Sequence, residues 1–390
     1  FAHNNEWLIR NLVKLGRKSD AIDLACNMTE LPRHPEYNSL DSYGSARYGR
    51  RRLFESLSRF EMWDELLRYS ETPYLGRVDP LQEQVQRLRY VGRACFQSNR
   101  TRRGEEQIVL LERMLADQKS LQDEAVANVG KDDDEGEELS ESDLKKAQAR
   151  ARRPFASRIR SIEKALDELR GHVALADGDA ESALELFKKA GSMETEFLVR
   201  IELTAGMIDE ALERAEENVE KYENEVVPLA SLVDALWTAD RREDAQKRFE
   251  TLRKTAYMAD LDAKCLERLR PVADSLGLAG DWRADAPELT ADLGVRPDLD
   301  SLGPFRWAPS PASPWTLTDA RGEKRSLADY RGKPVVVIFY LGFGCLHCVE
   351  QLQEFAPMTD QFRQSGISLL AVSTDAPETL AQSEFGYDEG

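Results

Sequence analysis

Two cysteines separated by two residues, Cys345 and Cys348, have the type and spacing for chemistry in this 390-residue chain. They follow the most apolar run of the sequence, Val335 to Leu341, and open an amphipathic pattern. A strand that delivers a thiol to a helix N-terminus sets it against free backbone N–H groups and the positive end of the helix dipole, which favour thiolate over thiol. The thiolate is the attacking species in disulfide exchange, so the pair reads as a redox site. Cys345 is expected at the exposed mouth of the turn and Cys348 one turn in, shielded by the helix it begins. The competing use of such a pair is half a zinc site, which needs two more ligands. No second close-spaced Cys/His pair exists, so no metal and no cofactor are expected. Cys26, Cys95 and Cys265 stand alone in helical-looking segments and read as buried small hydrophobes.

The elements that must position the pair are legible around it. The run Val335–Leu341 predicts a strand, and a helix is predicted from Cys348 to about Phe362, with Pro357 breaking a turn. Gly366 ends that helix, and Ile367–Val372 predicts a second buried strand. Strand, helix, strand at this spacing is a βαβ unit with parallel pairing. Before it come Leu317–Asp319, a turn at Gly322, and Ser326–Lys333. Proline, glycine and aspartate dominate after Leu276, through Pro287, Pro297, Pro304 and Pro314, which predicts a linker over 277–303 and an α/β domain over 304–390.

Residues 1–276 carry apolar residues at three- and four-residue spacing and predict helices almost throughout. A faint repeat runs through them: Gly16, Gly178 and Gly206 each precede an alanine by five, at Ala21, Ala183 and Ala211, and Asp240 precedes Ala245 likewise. Each pair reads as a turn followed by a small residue that lets two helices approach closely. The region resembles the tetratricopeptide repeat, most clearly in Gly171, Ala174, Gly178, Ala183, Phe187 and Ala190. That resemblance implies an all-α solenoid with a protein partner, over 1–127 and 153–276. Between them, Asp132, Asp133, Asp134, Glu135, Glu137 and Glu138 predict an acidic, flexible segment over 128–152.

The net charge of −18 and pI near 4.9 argue against nucleic acid or an anionic membrane as partners. No apolar stretch is long enough to span a bilayer. The compartment stays open between the exported or periplasmic space and the cytoplasm.

From about Gly303 the chain resembles the redoxin branch of the thioredoxin superfamily, the AhpC/TSA peroxiredoxins together with the TlpA-like thiol-disulfide oxidoreductases. The motifs are Trp315 to Asp319 with Gly322; Ser326, Asp329, Gly332 and Lys333 leading into the valine run; the cysteine pair; and Val372 to Asp375. The resemblance implies that Cys345 attacks a partner disulfide and Cys348 resolves the mixed disulfide, with His347 stabilising the thiolate form and Glu350 as a proton shuttle. It implies a protein disulfide or dithiol partner, with peroxide as the other possible substrate. Peroxiredoxins place a proline and a hydroxyl before their reactive cysteine, whereas Leu341-Gly-Phe-Gly344 has neither; disulfide exchange is therefore expected to exceed peroxide reduction. A complete fold of this superfamily also has a later strand carrying a cis-proline, so the thioredoxin-like domain is expected to be truncated at its C-terminus. Two alternatives stand beside the exchange enzyme: a peroxiredoxin-type peroxide reductase, and a helical-repeat scaffold with a non-catalytic redoxin-like end.

Overall fold

The computed structural model describes residues 2–129, 140–278, 280–287, 301, 312–342, 344–376 and 378–380. The chain divides into two compact units, Phe1–Trp307 and Ala308–Gly390.

Among the described residues of the first unit, twelve helices follow one another as six hairpins: α1 (Ala2–Lys14) with α2 (Lys18–Glu30), α3 (Ser45–Arg59) with α4 (Trp63–Tyr69), α5 (Leu81–Gln97) with α6 (Thr101–Ala127), α7 (Glu141–Ala176) with α8 (Ala180–Ala190), α9 (Thr195–Thr204) with α10 (Ile208–Lys221), and α11 (Val226–Thr238) with α12 (Arg242–Thr255). Short helices α13 (Lys264–Glu267) and α14 (Arg270–Ser275) follow. One turn closes all six hairpins. A single residue in the left-handed region ends the first helix: Gly16, Glu61, Asn99, Gly178, Gly206 or Asp240. The next residue's N–H then reaches back to a carbonyl five positions earlier, as Arg17 to Leu12 at 2.9 Å, Met62 to Leu57 at 2.8 Å and Arg100 to Cys95 at 2.7 Å. Asp179 to Ala174, Met207 to Glu202 and Arg241 to Leu236 repeat the bond. This is the Schellman arrangement, which satisfies carbonyls that a helix end leaves unpaired. Five residues after the turn residue, Ala21, Leu66, Ala183, Ala211 and Ala245 are each fully buried.

The close approach is visible where α7 crosses α8: a Cβ on Gly171 would lie 2.7 Å from the Phe187 ring. Among the described residues of this unit the only β feature is an isolated bridge, His34 to Asn38. The helical reading of 1–276 therefore holds. Two expected boundaries do not coincide with breaks. Residues 141–152, read as part of the flexible segment, are the first turns of α7: Ser140 caps the helix by accepting from the Asp143 N–H, and Glu141–Lys145 and Asp143–Lys146 pair along its surface. The acidic run Asp132 to Glu138 lies outside the described residues. Trp282, read as linker, is buried against Phe249 with ring centroids 4.9 Å apart, and its carbonyl accepts from Arg253 Nε at 2.7 Å.

In the second unit, β1 (Thr316–Thr318) pairs antiparallel with β2 (Lys324–Ser326) across a turn at Gly322, which has φ +80°. Hydrogen bonds from the Glu323 and Arg321 N–H groups, together with Arg325, hold the Asp319 carboxyl below its ordinary range. A capping box between Ser326 and Asp329 then opens a 3-10 turn, Leu327–Tyr330. β3 (Val335–Tyr340) pairs in parallel with β4 (Ser368–Ser373), and between them run α15 (Leu346–Phe355), a 3-10 turn at Ala356–Met358 containing Pro357, and α16 (Thr359–Gln364). The βαβ unit is thus present. Its strands are less buried than expected: on β3 only Ile338 is buried and Phe339 is 75% exposed, because among the described residues this sheet has two strands and little covers it.

Candidate redox site

The parallel register sets Tyr340 beside Ser373, so both strands end at the same level and release their following loops together. After β3 the chain passes through Leu341 and Gly342 to Cys345, the N-cap of α15. The Gly342 carbonyl accepts from the Cys345 N–H at 3.1 Å. Cys345 is extended, with φ −97° and ψ 96°, and its Sγ accepts from the Cys348 N–H at 3.4 Å. A cysteine at an N-cap offers sulfur where a helix offers donors, the geometry that stabilises a thiolate.

Cys345 and Cys348 are joined by a disulfide, with Cα atoms 5.3 Å apart. Both are half-buried, so the expected contrast between an exposed Cys345 and a shielded Cys348 is absent. The reason is geometric: N-cap and third helical residue lie on one face of the helix end, so both sulfurs meet the same surroundings. The other three thiols are buried. Burial pushes Cys265 up to about 11 and also raises Cys95, which removes nucleophilic character from both.

His347 and Glu350 sit on the first turn of α15, with Nδ1 3.3 Å from Oε2 and the two side chains 96% and 74% exposed. At such exposure the contact contributes little energy, though it gathers an imidazole and a carboxylate beside the disulfide. Among the described residues no cluster of three or more His, Cys, Asp or Glu could hold a metal ion. No helix among them is long and apolar enough to cross a membrane.

The segment after β4 meets the loop that carries the site. Thr374 Oγ1 donates to the Leu341 carbonyl at 2.7 Å, and the Asp375 carboxylate lies against Gly342. Sequence reasoning singled out Val372 to Asp375 as a motif and did not find this contact, since nothing local marks a bond spanning 33 positions. A cleft of about 560 Å³ opens beside it, lined by Trp315, Tyr340, Leu352, Val372 and Asp375 among others, and neither cysteine lines it.

Residues 309–386 match the profile of the AhpC/TSA family. These residues are an AhpC/TSA redoxin domain. The redoxin domain is homologous to the peroxiredoxins of the thioredoxin superfamily. A candidate peroxiredoxin of Mycobacterium tuberculosis (strain H37Rv) is 39% identical over 77 residues, 20% of this chain and 49% of that protein. The chloroplastic peroxiredoxin Q of Sedum lineare is 35% identical over 66 residues, 17% of this chain and 36% of that protein. Peroxiredoxin Bcp of Escherichia coli K12 is 32% identical over 71 residues, covering 18% and 46%. The chain thus spans about half the length, or less, of these curated relatives. No solved structure matches the chain.

Proposed function

We propose that the redoxin domain is a thiol-disulfide oxidoreductase working through Cys345 and Cys348. The observation that carries this reading is the placement of Cys345 at the N-cap of α15 with its sulfur accepting from the Cys348 N–H, within bonding reach of the Cys348 sulfur. In the reduced state the Cys345 thiolate attacks one sulfur of a partner disulfide, forming a mixed disulfide and expelling the partner's other sulfur as a thiolate that takes up a proton. The Cys348 thiol loses its proton and attacks Cys345, which releases the partner as a dithiol and leaves Cys345–Cys348 oxidised. A second dithiol returns both electrons to the pair. His347 and Glu350 are assigned to proton handling at these two sulfurs. The helical unit serves as a partner-binding arm of tetratricopeptide type, a reading supported by its repeated hairpins and by the Gly171–Phe187 packing of α7 on α8.

The names of the homologues favour a second reading, peroxide reduction. There the Cys345 thiolate attacks the O–O bond to give a sulfenic acid and hydroxide, and Cys348 condenses with it to release water. The stretch Leu341 to Gly344 has no hydroxyl to polarise the peroxide. Losing one preorganised donor costs on the order of 100- to 1,000-fold in rate. Disulfide exchange and hydrogen peroxide consumption, measured separately on the full chain and on Cys345→Ser and Cys348→Ser, decide the matter. Exchange abolished by either substitution supports the first reading. Fast peroxide consumption that survives in Cys348→Ser and vanishes in Cys345→Ser establishes the second. Neither activity in the unsubstituted chain would leave a scaffold with a non-catalytic end.

A further inference from the structure

We propose that Thr374 and Asp375 are positioning residues for the redox pair: the turn that ends β4 clamps Leu341 and Gly342 and, through the Gly342 carbonyl, sets the backbone of Cys345. The proposal rests on reading Cys345–Cys348 as the exchanging pair, and it adds two residues and a glycine requirement to that site.

The geometry is a continuous chain of contacts. Gly342 is buried and has φ +118°, where a side chain is strained. The space a side chain would take there is already occupied: a Cβ on Gly342 would fall 2.5 Å from Oδ1 and 2.8 Å from Oδ2 and Cγ of Asp375. The carboxylate therefore packs on the bare Cα of the loop. One residue earlier the Thr374 hydroxyl holds the Leu341 carbonyl at 2.7 Å, and the Ser373 hydroxyl accepts from the Asp375 N–H at 3.1 Å, which shapes the turn itself. The Gly342 carbonyl then receives the Cys345 N–H. Tyr340 and Ser373 are sheet partners, so clamp and loop spring from one rigid edge.

This matters because Cys345 must change sulfur partners while its backbone stays put. Its N-cap role needs an extended backbone. A loop free to relax would let the sulfur leave the position where the Cys348 N–H finds it, and both thiolate stabilisation and the effective concentration of the two thiols would fall. A helix end alone cannot enforce this, since the residues before an N-cap lie outside the helical hydrogen bonds.

The test measures two quantities on the full chain: the pH profile of Cys345 alkylation in the reduced protein, and the equilibrium of the pair with glutathione. Thr374→Val and Asp375→Ala should each raise the alkylation midpoint and, at a pH below that midpoint, where thiolate stabilisation no longer enters the balance, shift the glutathione equilibrium at least about fivefold toward the reduced form. Thr374→Ser keeps the hydroxyl and Asp375→Asn keeps the shape, so both should stay within about twofold of the unsubstituted chain. Gly342→Ala should slow alkylation at neutral pH at least about tenfold, and Gly342→Ala/Asp375→Ala should be no slower, because neighbours that share one contact are not additive. Multiplying effects in the double variant would overturn the proposal. So would Asp375→Asn behaving as Asp375→Ala, which would make charge and not packing the cause, or Asp375→Ala and Thr374→Val both matching the unsubstituted chain. If the variants shift Cys345 as expected while the unsubstituted chain exchanges no protein disulfide, the clamp stands and the functional reading falls. If the chain exchanges disulfides and the clamp variants are silent, the reverse holds.

Discussion

Arg93 on α5 and Glu168 on α7 form an ion pair closed to solvent, 2.6 Å between nitrogen and oxygen, with side chains 1% and 0% exposed. Arg93 also reaches Ser58 at 2.9 Å and Glu194 at 2.6 Å, and the Ser192 hydroxyl donates to Glu168. Removing one partner leaves a buried charge unpaired, which costs about 3–5 kcal/mol, whereas replacing both by apolar groups can be close to neutral. Arg89 Nε still lies 3.7 Å from Glu168 once Arg93 is gone, so urea melts should show Arg93→Met destabilised by up to that amount and Arg93→Met/Glu168→Met by less than the sum of the singles.

Burial, with Arg93 adding to it, pushes His172 down to about 3, against the raising effect of Glu194. Its ring is enclosed by Phe96, Phe187 and Phe197, with centroids 5.1 to 5.9 Å away. An unfolded histidine titrates near 6.5, so between that value and about 3 the unfolded chain binds the extra proton, and stability rises with pH through that window. Going from pH 7 to pH 5 should cost the unsubstituted chain about 2 kcal/mol more than His172→Leu. Denaturant midpoints at the two pH values check the difference; equal slopes would refute it.

The hairpin turns predict substitutions of opposite sign. Asp240 holds φ +60°, and its pair with Arg242 is exposed on both sides, so little is lost when the side chain is removed. Asp240→Gly should stabilise by about 0.5–1 kcal/mol. Gly206 has φ +78° with open space around it, so Gly206→Ala meets no clash and should cost about 1 kcal/mol from backbone strain alone. Thermal melts of the two should shift in opposite directions.

Thiol labelling should divide the five cysteines cleanly. After reduction under native conditions, Cys345 and Cys348 should alkylate, while Cys26, Cys95 and Cys265 wait for denaturant. A thiol pushed up to about 11, as Cys265 is, has on the order of one thousandth of its population as thiolate at pH 8. Peptide mass spectrometry before and after unfolding measures this.

Local signals carried much of the architecture. Glycine announces a left-handed turn, so Gly16, Gly178 and Gly206 were legible, and Ala245 drew attention to Asp240. Glu61 and Asn99 close hairpins of the same kind and were missed, because a non-glycine residue in that conformation looks ordinary in sequence. The α7 start was hidden by its charges, which read as solvated chain although Ser140 and the pairs of Glu141 and Asp143 favour a helix. Trp282 was lost among prolines and glycines, since only Phe249, far away in sequence, gives it a place to pack. At the site, the cysteine pair and its strand-to-helix setting were readable, and the hold of Asp375 on Gly342 was not: it depends on two strands ending at the same level.

The shared turn of the six hairpins has a kinetic consequence. Each turn joins helices adjacent in sequence, and its hydrogen bonds close within six residues. The packing around a turn waits for distant parts of the chain, as where the Gly16 carbonyl of the first turn also accepts from the Asp260 N–H, whereas the turn itself can close before those parts are present. Contacts this local go with fast folding, since little loop entropy is lost before they form. The βαβ part of the second unit has no such route, because β3 must wait for the residues through β4 before it gains its parallel partner. On a ribosome each hairpin turn of the helical unit could therefore close as its own residues emerge, whereas the redox pair would acquire its clamp only after Thr374 and Asp375 emerge.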